Sequence, residues 1–265
     1  MTETGKKPWL SVVTVVMNDT EGYLATEASL FTQKFTDFEW ITIDSSDEPL
    51  NARDWGNQNG VKTKYAWATS EGVFSAMNLG LKLSEAPYIY FLNAGDFFKD
   101  STVLQKIFDS SQSLRATTAL YGDVCFVGEN GSEVVPEPFV FEAERSNYFC
   151  KGRFPPHQGT FTPRESLIGI GGFDETLYVA GDYKAFIDLS RKIPYLYVPI
   201  EVAVFKLGGV SSKKRLQGIW EFHQARKAIY QPRGREYLRE FICTLFSYLK
   251  YFAFGAFKGI RNILN

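Results

Sequence analysis

The chain has 265 residues, of which 23 are Phe and 14 are Tyr. This aromatic content excludes an intrinsically disordered chain, and the length suits one large α/β domain with additions. The net charge is −1, but residues 213–265 carry 11 Lys and Arg and 3 acids, so residues 1–212 carry −9. A basic C-terminal segment that follows an acidic region indicates a negatively charged partner such as membrane lipid or phosphate. The sequence has no recognisable nucleic-acid-binding motif.

The apolar pattern predicts strands and helices in alternation along the first half of the chain. Strands are predicted at residues 10–16, 38–44, 65–68 and 88–94, with a helix in the stretch 18–33 and another at 72–83. A helix near 101–113 and a strand pair at 119–127 and 133–141 follow. This order predicts an α/β fold with a mostly parallel central sheet flanked by helices.

The stretch YIYFLNAGDFF, residues 88–98, places an apolar run directly before Asp96. A strand without polar alternation is typical of a parallel sheet that is covered on both faces. The carboxyl ends of such strands open into the ligand crevice of the fold. We therefore expect Asp96 to lie at the mouth of a binding site.

The three cysteines, Cys125, Cys150 and Cys243, have neither a metal-binding spacing nor a disulfide framework, which suits a reducing compartment. The first apolar run reads as a strand without a small-residue cleavage site, so we expect no signal peptide and a cytoplasmic location.

No linker divides the chain, and the simplest account is one domain, residues 1–212, with a C-terminal extension, residues 213–265. The extension ends in YLREFICTLFSYLKYFAFGAFKGIRNILN, whose apolar runs are too short to span a bilayer, which takes about 20 residues. Its polar residues recur near a helical period, so an amphipathic, basic helix is predicted, suited to an anionic membrane surface. The alternative is a helix that docks on its own domain or on a second subunit in a homo-oligomer.

Six stretches in order carry a resemblance to a known family. They are SVVTVVMND (11–19), FEWITIDSSD (38–47), EGVFSAMNLGL (71–81), YIYFLNAGDFF (88–98), HQGTFTPRESLIGIGGFDETLYVAGDYKAFIDL (157–189) and FKLGGVSS (205–212). Together the chain resembles family 2 glycosyltransferases with the GT-A fold, in the bacterial branch that builds capsule, O-antigen and exopolysaccharide. Little resemblance extends beyond residue 212.

The resemblance implies an inverting enzyme that moves a sugar from a nucleotide-sugar, a UDP-sugar by expectation, to a hydroxyl of a lipid-linked oligosaccharide or glycan. Such an enzyme would work at the inner face of the cytoplasmic membrane. It also implies a divalent ion, Mn²⁺ or Mg²⁺, because the donor diphosphate needs a cation and carboxylate oxygen holds hard ions.

LNAGD lies where the family has its Asp-x-Asp type of motif. Asn93 and Gly95 replace two usual acids, and Asp96 keeps the position that resembles the metal ligand. Because this motif supplies one carboxylate instead of two or three, we expect the metal ion to bind weakly when the nucleotide is absent. The other interpretation makes Asp96 a helix N-cap, although Asp100 and Ser101 suit that role better.

Four further positions resemble parts of the donor site. Asp44 would accept the uracil N–H, or it could instead cap the turn that follows its strand. Thr14 and Asn18 would line the same pocket. Asn78 would contact the nucleotide or serve as a core polar residue.

Glu71 departs from the family pattern, which has an Asp before Gly72 and another acid near Ser75. It is expected either to contact the donor or to be a first-turn helix acid.

Asp182 in VAGDYKAFIDL resembles the family's catalytic base, a carboxylate that takes the proton of the incoming hydroxyl at a distance of about 2.6–3.2 Å. Asp188 is expected on another face of the same helix. His157 and Gln158 resemble the pair near the acceptor, although a lone loop histidine is more often structural. Residues 213–215 are all basic, and they would either offset the diphosphate charge or face lipid headgroups. His223 is expected to be a helix-face histidine and not a metal ligand.

The sequence also bears on two other functional classes. A non-catalytic sugar-nucleotide or glycan-binding subunit is the alternative, motivated by the missing acids at Asn93, Gly95 and Ser75. A nicotinamide-dependent oxidoreductase is disfavoured because no G-x-G-x-x-G follows the first strand, and the chain has no P-loop.

Overall fold

The computed structural model describes residues 7–50, 56–128, 130–137, 154–208 and 214–263, with only the backbone described at residue 57 and at residues 254–263. Its strands are β1 (Leu10–Val16), β2 (Phe38–Asp44), β3 (Asn57–Gln58), β4 (Val61–Trp67), β5 (Tyr88–Phe91), β6 (Phe97–Phe98), β7 (Ala119–Val127), β8 (Glu133–Val134), β9 (Thr160–Pro163) and β10 (Tyr195–Lys206). Its helices are α1 (Thr20–Phe31), α2 (Val73–Leu83), α3 (Val103–Ser111), α4 (Arg164–Gly169), α5 (Gly181–Ser190), α6 (Arg215–Tyr230) and α7 (Arg235–Ile263), with a 3₁₀ turn at His157–Gly159. Cys150 and Lys213 lie outside the described residues, as does the far end of the strand predicted at 133–141.

The strands form one curled sheet in the order β3-β4-β2-β1-β5-β9-β7-β10-β6, with β8 paired to β7. The long pairs β2–β4, β1–β2, β1–β5 and β7–β10 are parallel, and the short strands at the margins and at β9 pair antiparallel. The predicted mostly parallel sheet flanked by helices is confirmed. Because β4, β2, β1 and β5 run in one direction, their carboxyl ends share one edge of the sheet.

Both faces of the sheet are buried, which explains why its strands lack polar alternation. On β1, Val13 and Val15 belong to the core on the side of α2 and α5, whereas Leu10, Val12 and Val16 belong to the core on the side of α1 and α3. Successive side chains of a strand point to opposite faces, so an all-apolar strand supplies two cores at once.

The helix α2 lies close against β1. A Cβ added at Gly80 would stand 2.3 Å from Cγ1 of Val13, so only glycine permits this approach. The close contact holds α2 against β1, and the helix begins directly after the loop that carries Glu71.

The C-terminal helices continue the fold. Helix α6 packs on α5, and α7 packs on α6, and the predicted C-terminal helix is therefore present. Among the described residues, no helix combines the length and the apolar character that crossing a membrane requires.

Candidate active site

A large cleft opens at the carboxyl edge of the parallel strands, with a volume of about 1450 Å³. Its walls come from the loops after β1 and β5, the start of α2, the 3₁₀ turn, the start of α5 and the end of β10. Six of the predicted site residues line it: Glu71, Asn93, Asp96, His157, Gln158 and Asp182. The cleft therefore gathers residues that lie up to 111 positions apart in the sequence.

Asp96 is held deep in this cleft, with 4% of its surface exposed. The hydroxyl of Thr26 donates to the Asp96 carbonyl at 2.7 Å and accepts from the Gly95 amide at 3.1 Å, which ties the loop after β5 to α1. Burial raises the pKa of Asp96 to about 7, against the opposing effects of nearby His157 and of a hydrogen bond from the side chain of Gln158. Burial favours the neutral form of this carboxyl, and a cation bound beside it would favour the ionised form.

Asp182 and His157 form a pair across the cleft. The distance from Nδ1 of His157 to Oδ2 of Asp182 is 3.1 Å, and the other carboxylate oxygen accepts the Tyr183 amide at 2.7 Å. Because an ionised carboxylate only accepts, His157 Nδ1 is the donor. The distance from Nε2 of His157 to the side-chain nitrogen of Asn93 is 3.4 Å, a long contact in which the imidazole accepts. His157 thus connects the loop that carries Asp96 with the helix that carries Asp182.

The start of α5 is positioned by Glu221, a residue of α6 that is 5% exposed. Its carboxylate accepts the backbone amides of Tyr178 at 3.1 Å, Val179 at 2.7 Å and Ala180 at 2.9 Å. Ala180 directly precedes α5, so Glu221 fixes the segment from which Asp182 projects. The local sequence around Glu221 does not indicate this role, because the three backbone amides that it binds lie 41–43 residues away.

Asp44 lies behind the cleft and does not line it. Its buried carboxylate accepts the amides of Ser46 at 2.9 Å and Leu50 at 2.7 Å and the hydroxyl of Tyr65 at 2.8 Å. Burial favours the neutral acid, but these hydrogen bonds outweigh it and lower the pKa of Asp44. The carboxylate therefore organises the loop after β2, and its predicted contact with a nucleobase stays a prediction.

Thr14 and Asn18 also lie outside the cleft lining. The buried hydroxyl of Thr14 accepts from the indole of Trp40 at 2.9 Å. The backbone amide of Asn18 donates to Ser46, and its side chain exchanges two hydrogen bonds of 3.0 Å with Asp47. Thr14 therefore joins strands β1 and β2, and Asn18 joins the loops that follow them, while their predicted contacts with the donor stay predictions.

Asn78 is bonded to the loop before α5. Its side chain accepts the Phe173 amide at 2.8 Å and donates to the Phe173 carbonyl at 2.9 Å and to Glu175 at 2.7 Å. These bonds give the half-buried Asn78 a structural role, and its predicted contact with the nucleotide stays a prediction. Glu71, in contrast, is exposed and lines the cleft before α2.

Several groups of the cleft wall were not predicted as site residues. Lys206 ends β10, and its backbone amide donates to Asp96. Asp123 lies on β7, where Tyr197 donates to it at 2.7 Å and burial raises its pKa. Lys214, one of the basic residues 213–215 considered above, stands 3.8 Å from the ring centre of Tyr178, which lines the cleft. A basic residue at a strand end is the one signal that could have pointed to Lys206.

His223 is buried away from the cleft, and its Nδ1 lies 3.0 Å from the hydroxyl of Thr244. Within the described part of the chain, no group of three His, Cys, Asp or Glu side chains is placed to hold a metal ion. The loop that carries Asp96 nevertheless presents a second oxygen, Oδ1 of Asn93, which is buried without a hydrogen-bond partner. Two oxygen donors on one loop fit a hard divalent ion that takes its other ligands from phosphate oxygens.

Comparison with known proteins supports the predicted class of enzyme. No protein-family model matches the chain. The chain is 23% identical over 221 residues to an uncharacterised glycosyltransferase of Mycobacterium tuberculosis, covering 80% of both chains. It is 27% identical over 215 residues to a PGL/p-HBAD biosynthesis glycosyltransferase of Mycobacterium bovis, covering 77% of this chain and 80% of that protein.

Two solved structures share the fold. TarS of S. aureus (residues 1–349, solved with UDP) superposes with a TM-score of 0.64 at 17% identity, over 83% of this chain and 66% of that one. The mannosyltransferase PcManGT of Pyrobaculum calidifontis (solved with GDP-Man and Mn²⁺) superposes with a TM-score of 0.59 at 13% identity, over 86% of this chain and 66% of that one. The fold is that of GT-A glycosyltransferase structures, and these comparisons support the predicted class of enzyme, a glycosyltransferase.

Proposed function

We propose that the protein is an inverting glycosyltransferase that moves a sugar from a UDP-sugar to a hydroxyl of a lipid-linked oligosaccharide or glycan during synthesis of cell-surface polysaccharide. The relatives with glycosyltransferase names support the reaction class. Structural neighbours with UDP, UDP-GlcNAc and GDP-Man support a nucleotide-sugar donor, and two of these three ligands contain uridine.

The observation that carries the proposal is the meeting of two carboxyl groups in one cleft. Asp96 approaches from the loop after β5 and Asp182 from the start of α5, and His157 lies between them. Inversion needs a group near the leaving diphosphate and a base near the incoming hydroxyl, and two separate carboxyl groups in one cleft meet this need.

In the proposed reaction, the acceptor oxygen attacks the anomeric carbon while Asp182 takes the hydroxyl proton. The bond from the anomeric carbon to the diphosphate oxygen breaks, and the nucleoside diphosphate leaves with that electron pair. His157, by donating to one oxygen of Asp182, keeps the carboxylate turned in a single orientation, and the Tyr183 amide holds the other oxygen.

Asn93 and Asp96 would hold a divalent ion, which when bound neutralises charge on the diphosphate. Lys206, whose amide already bonds Asp96, adds a cationic side chain to the same wall of the cleft.

The test is transfer by Asp182→Asn. We expect a loss of at least about 100-fold in kcat with nucleotide binding retained, because the amide keeps its shape but cannot accept the proton. Asp188→Asn is the matched control, since Asp188 lies on the same helix, pairs with Lys192 at 3.1 Å and does not line the cleft. Transfer at the normal rate by Asp182→Asn would overturn the assignment of the base.

A non-catalytic sugar-nucleotide or glycan-binding subunit is the second candidate. The observation that favours it is the small set of acidic ligands, with Asn93 and Gly95 beside the single carboxyl of Asp96. Incubation with UDP- and GDP-sugars and Mn²⁺ separates the two, because an enzyme hydrolyses its donor slowly without acceptor and a binding subunit leaves it intact. The anomeric configuration of the product, read by NMR, tests inversion.

A further inference from the structure

We propose that α6 and α7 together form a membrane-docking surface that binds anionic lipid. The surface consists of large apolar side chains that are 40–65% exposed. They are Leu216, Trp220, Leu238, Phe241, Ile242, Leu245, Phe246, Leu249 and Phe252. This inference concerns where the protein binds and does not depend on glycosyl transfer.

The apolar residues of α7 form one continuous band. Residues 238, 241, 242, 245, 246, 249 and 252 recur at spacings of three and four, which places them along one side of a helix. Exposed apolar surface of this extent is unusual on a soluble monomer and marks an interaction site. Leu216 and Trp220 of α6 extend this apolar surface onto a second helix. The Tyr248 hydroxyl of α7 donates to the Leu216 carbonyl at 3.4 Å, and this bond joins the two helices.

The opposite side of α7 is fixed to the body of the protein by a buried polar network. Arg226 of α6 donates to Glu240 at 2.6 Å, to Thr244 at 3.1 Å and to the Tyr183 hydroxyl at 3.0 Å. Arg226, Glu240 and Thr244 are each at most 8% exposed. A charged pair buried in this way is costly to separate, so α7 cannot roll to bury its apolar band against its own domain.

The charges beside the band favour anionic lipid as the partner. The helical period places Arg235, Arg239 and Lys250 along one edge of the band, and all three are exposed. Glu240 is neutralised by Arg226. A band of Phe and Leu flanked by Arg and Lys matches a bilayer interface, where apolar groups enter the acyl region and cations meet headgroup phosphates.

The surface also lies one helix away from the cleft. Helix α6 exposes Trp220 on its outer side and carries Phe222 into the cleft wall, next to Glu221. Docking through α6 and α7 would hold the cleft close to the membrane surface, where the proposed lipid-linked acceptor would be anchored.

The test is sedimentation of the full chain with vesicles of phosphatidylcholine alone and with about 30% phosphatidylglycerol. We expect at least about tenfold more binding to the anionic vesicles, falling as salt is raised. Phe246→Ser combined with Leu249→Ser should reduce binding about tenfold, and Arg239→Gln combined with Lys250→Gln should remove the preference for anionic lipid. Ile168→Ser is the matched control, since Ile168 is 41% exposed on α4 and lies outside the surface.

Circular dichroism of the variants should match the wild type, because the changed side chains are exposed. Equal sedimentation of the wild type and the Phe246/Leu249 variant would overturn the proposal, as would no binding to either vesicle. A wild-type dimer that this variant converts to a monomer, without vesicle binding, would instead identify the surface as an interface between copies of the chain.

Discussion

Replacement of Glu221 is the sharpest test of how the cleft is assembled. The carboxylate accepts the amides of Tyr178, Val179 and Ala180 at 2.7–3.1 Å, and Gln217 donates to it at 2.7 Å. A hydrogen bond to a charged group contributes about 1.5–3 kcal/mol, and a buried donor left without a partner costs about 1–3 kcal/mol. Since three amides share one acceptor group, their contributions do not add fully.

We therefore expect Glu221→Ala to lower the free energy of unfolding by about 3–4 kcal/mol. Glu221→Gln, which keeps one acceptor oxygen but turns an N–H towards the amides, should cost about 1–2 kcal/mol. Either loss is a large part of a total stability of about 5–15 kcal/mol. Urea denaturation followed by circular dichroism measures both values.

Activity should fall with the geometry of α5. The segment held by Glu221 leads into Asp182, and a displacement of about 1 Å at a reacting group can cost about 100-fold in rate. We expect Glu221→Gln to lower kcat by about 10–100-fold under conditions where the variant is folded, with a smaller change in the KM for the donor. Glu236→Gln, the same chemical change at an exposed position of α7, is the control.

The reasoning would be refuted by a folded Glu221→Gln variant whose stability lies within about 0.5 kcal/mol of the wild type and whose kcat is unchanged. That result would mean that packing of α6 on α5 alone positions the start of α5.

Two further predictions concern single side chains. His157→Phe should lower kcat strongly and leave the KM for the donor unchanged. His157→Asn should keep more activity, because its amide N–H can take the place of Nδ1 and donate to Asp182. Equal kcat values for the two variants would show that His157 does not orient Asp182. The lowered pKa of Asp44 means that the folded state favours the ionised carboxylate. The ionised carboxylate therefore stabilises the fold at pH values above 3.8, the ordinary pKa of an Asp. This stabilisation is lost as the pH falls through the lower pKa of the folded state. Asp44→Asn should therefore flatten the fall in unfolding free energy below about pH 4, and an unchanged acid limb in urea titrations would contradict this.

Much of the fold could be predicted from local pattern. The apolar runs at 10–16, 38–44 and 119–127 coincide with β1, β2 and β7, and the three-and-four spacing at 72–83 coincides with α2. These elements obey rules that act over a few residues. Strand β10 and the antiparallel insertion of β9 between β5 and β7 were not predicted, because their pairing depends on partners far away in the chain.

The candidate site also has features that the sequence predicts and features that only the tertiary structure shows. The sequence by itself predicted the candidate residues, Asp96 from the apolar strand that precedes it and Asp182 from the family resemblance. Only the tertiary structure decided how these groups are used: His157 bonds Asp182, Asn78 bonds the Phe173 backbone, and Asp44 serves its own loop. The physical reason is one of range. Strand and helix periods are written in neighbouring residues, whereas a hydrogen bond between positions 25–95 residues apart exists only after the core has brought its elements together.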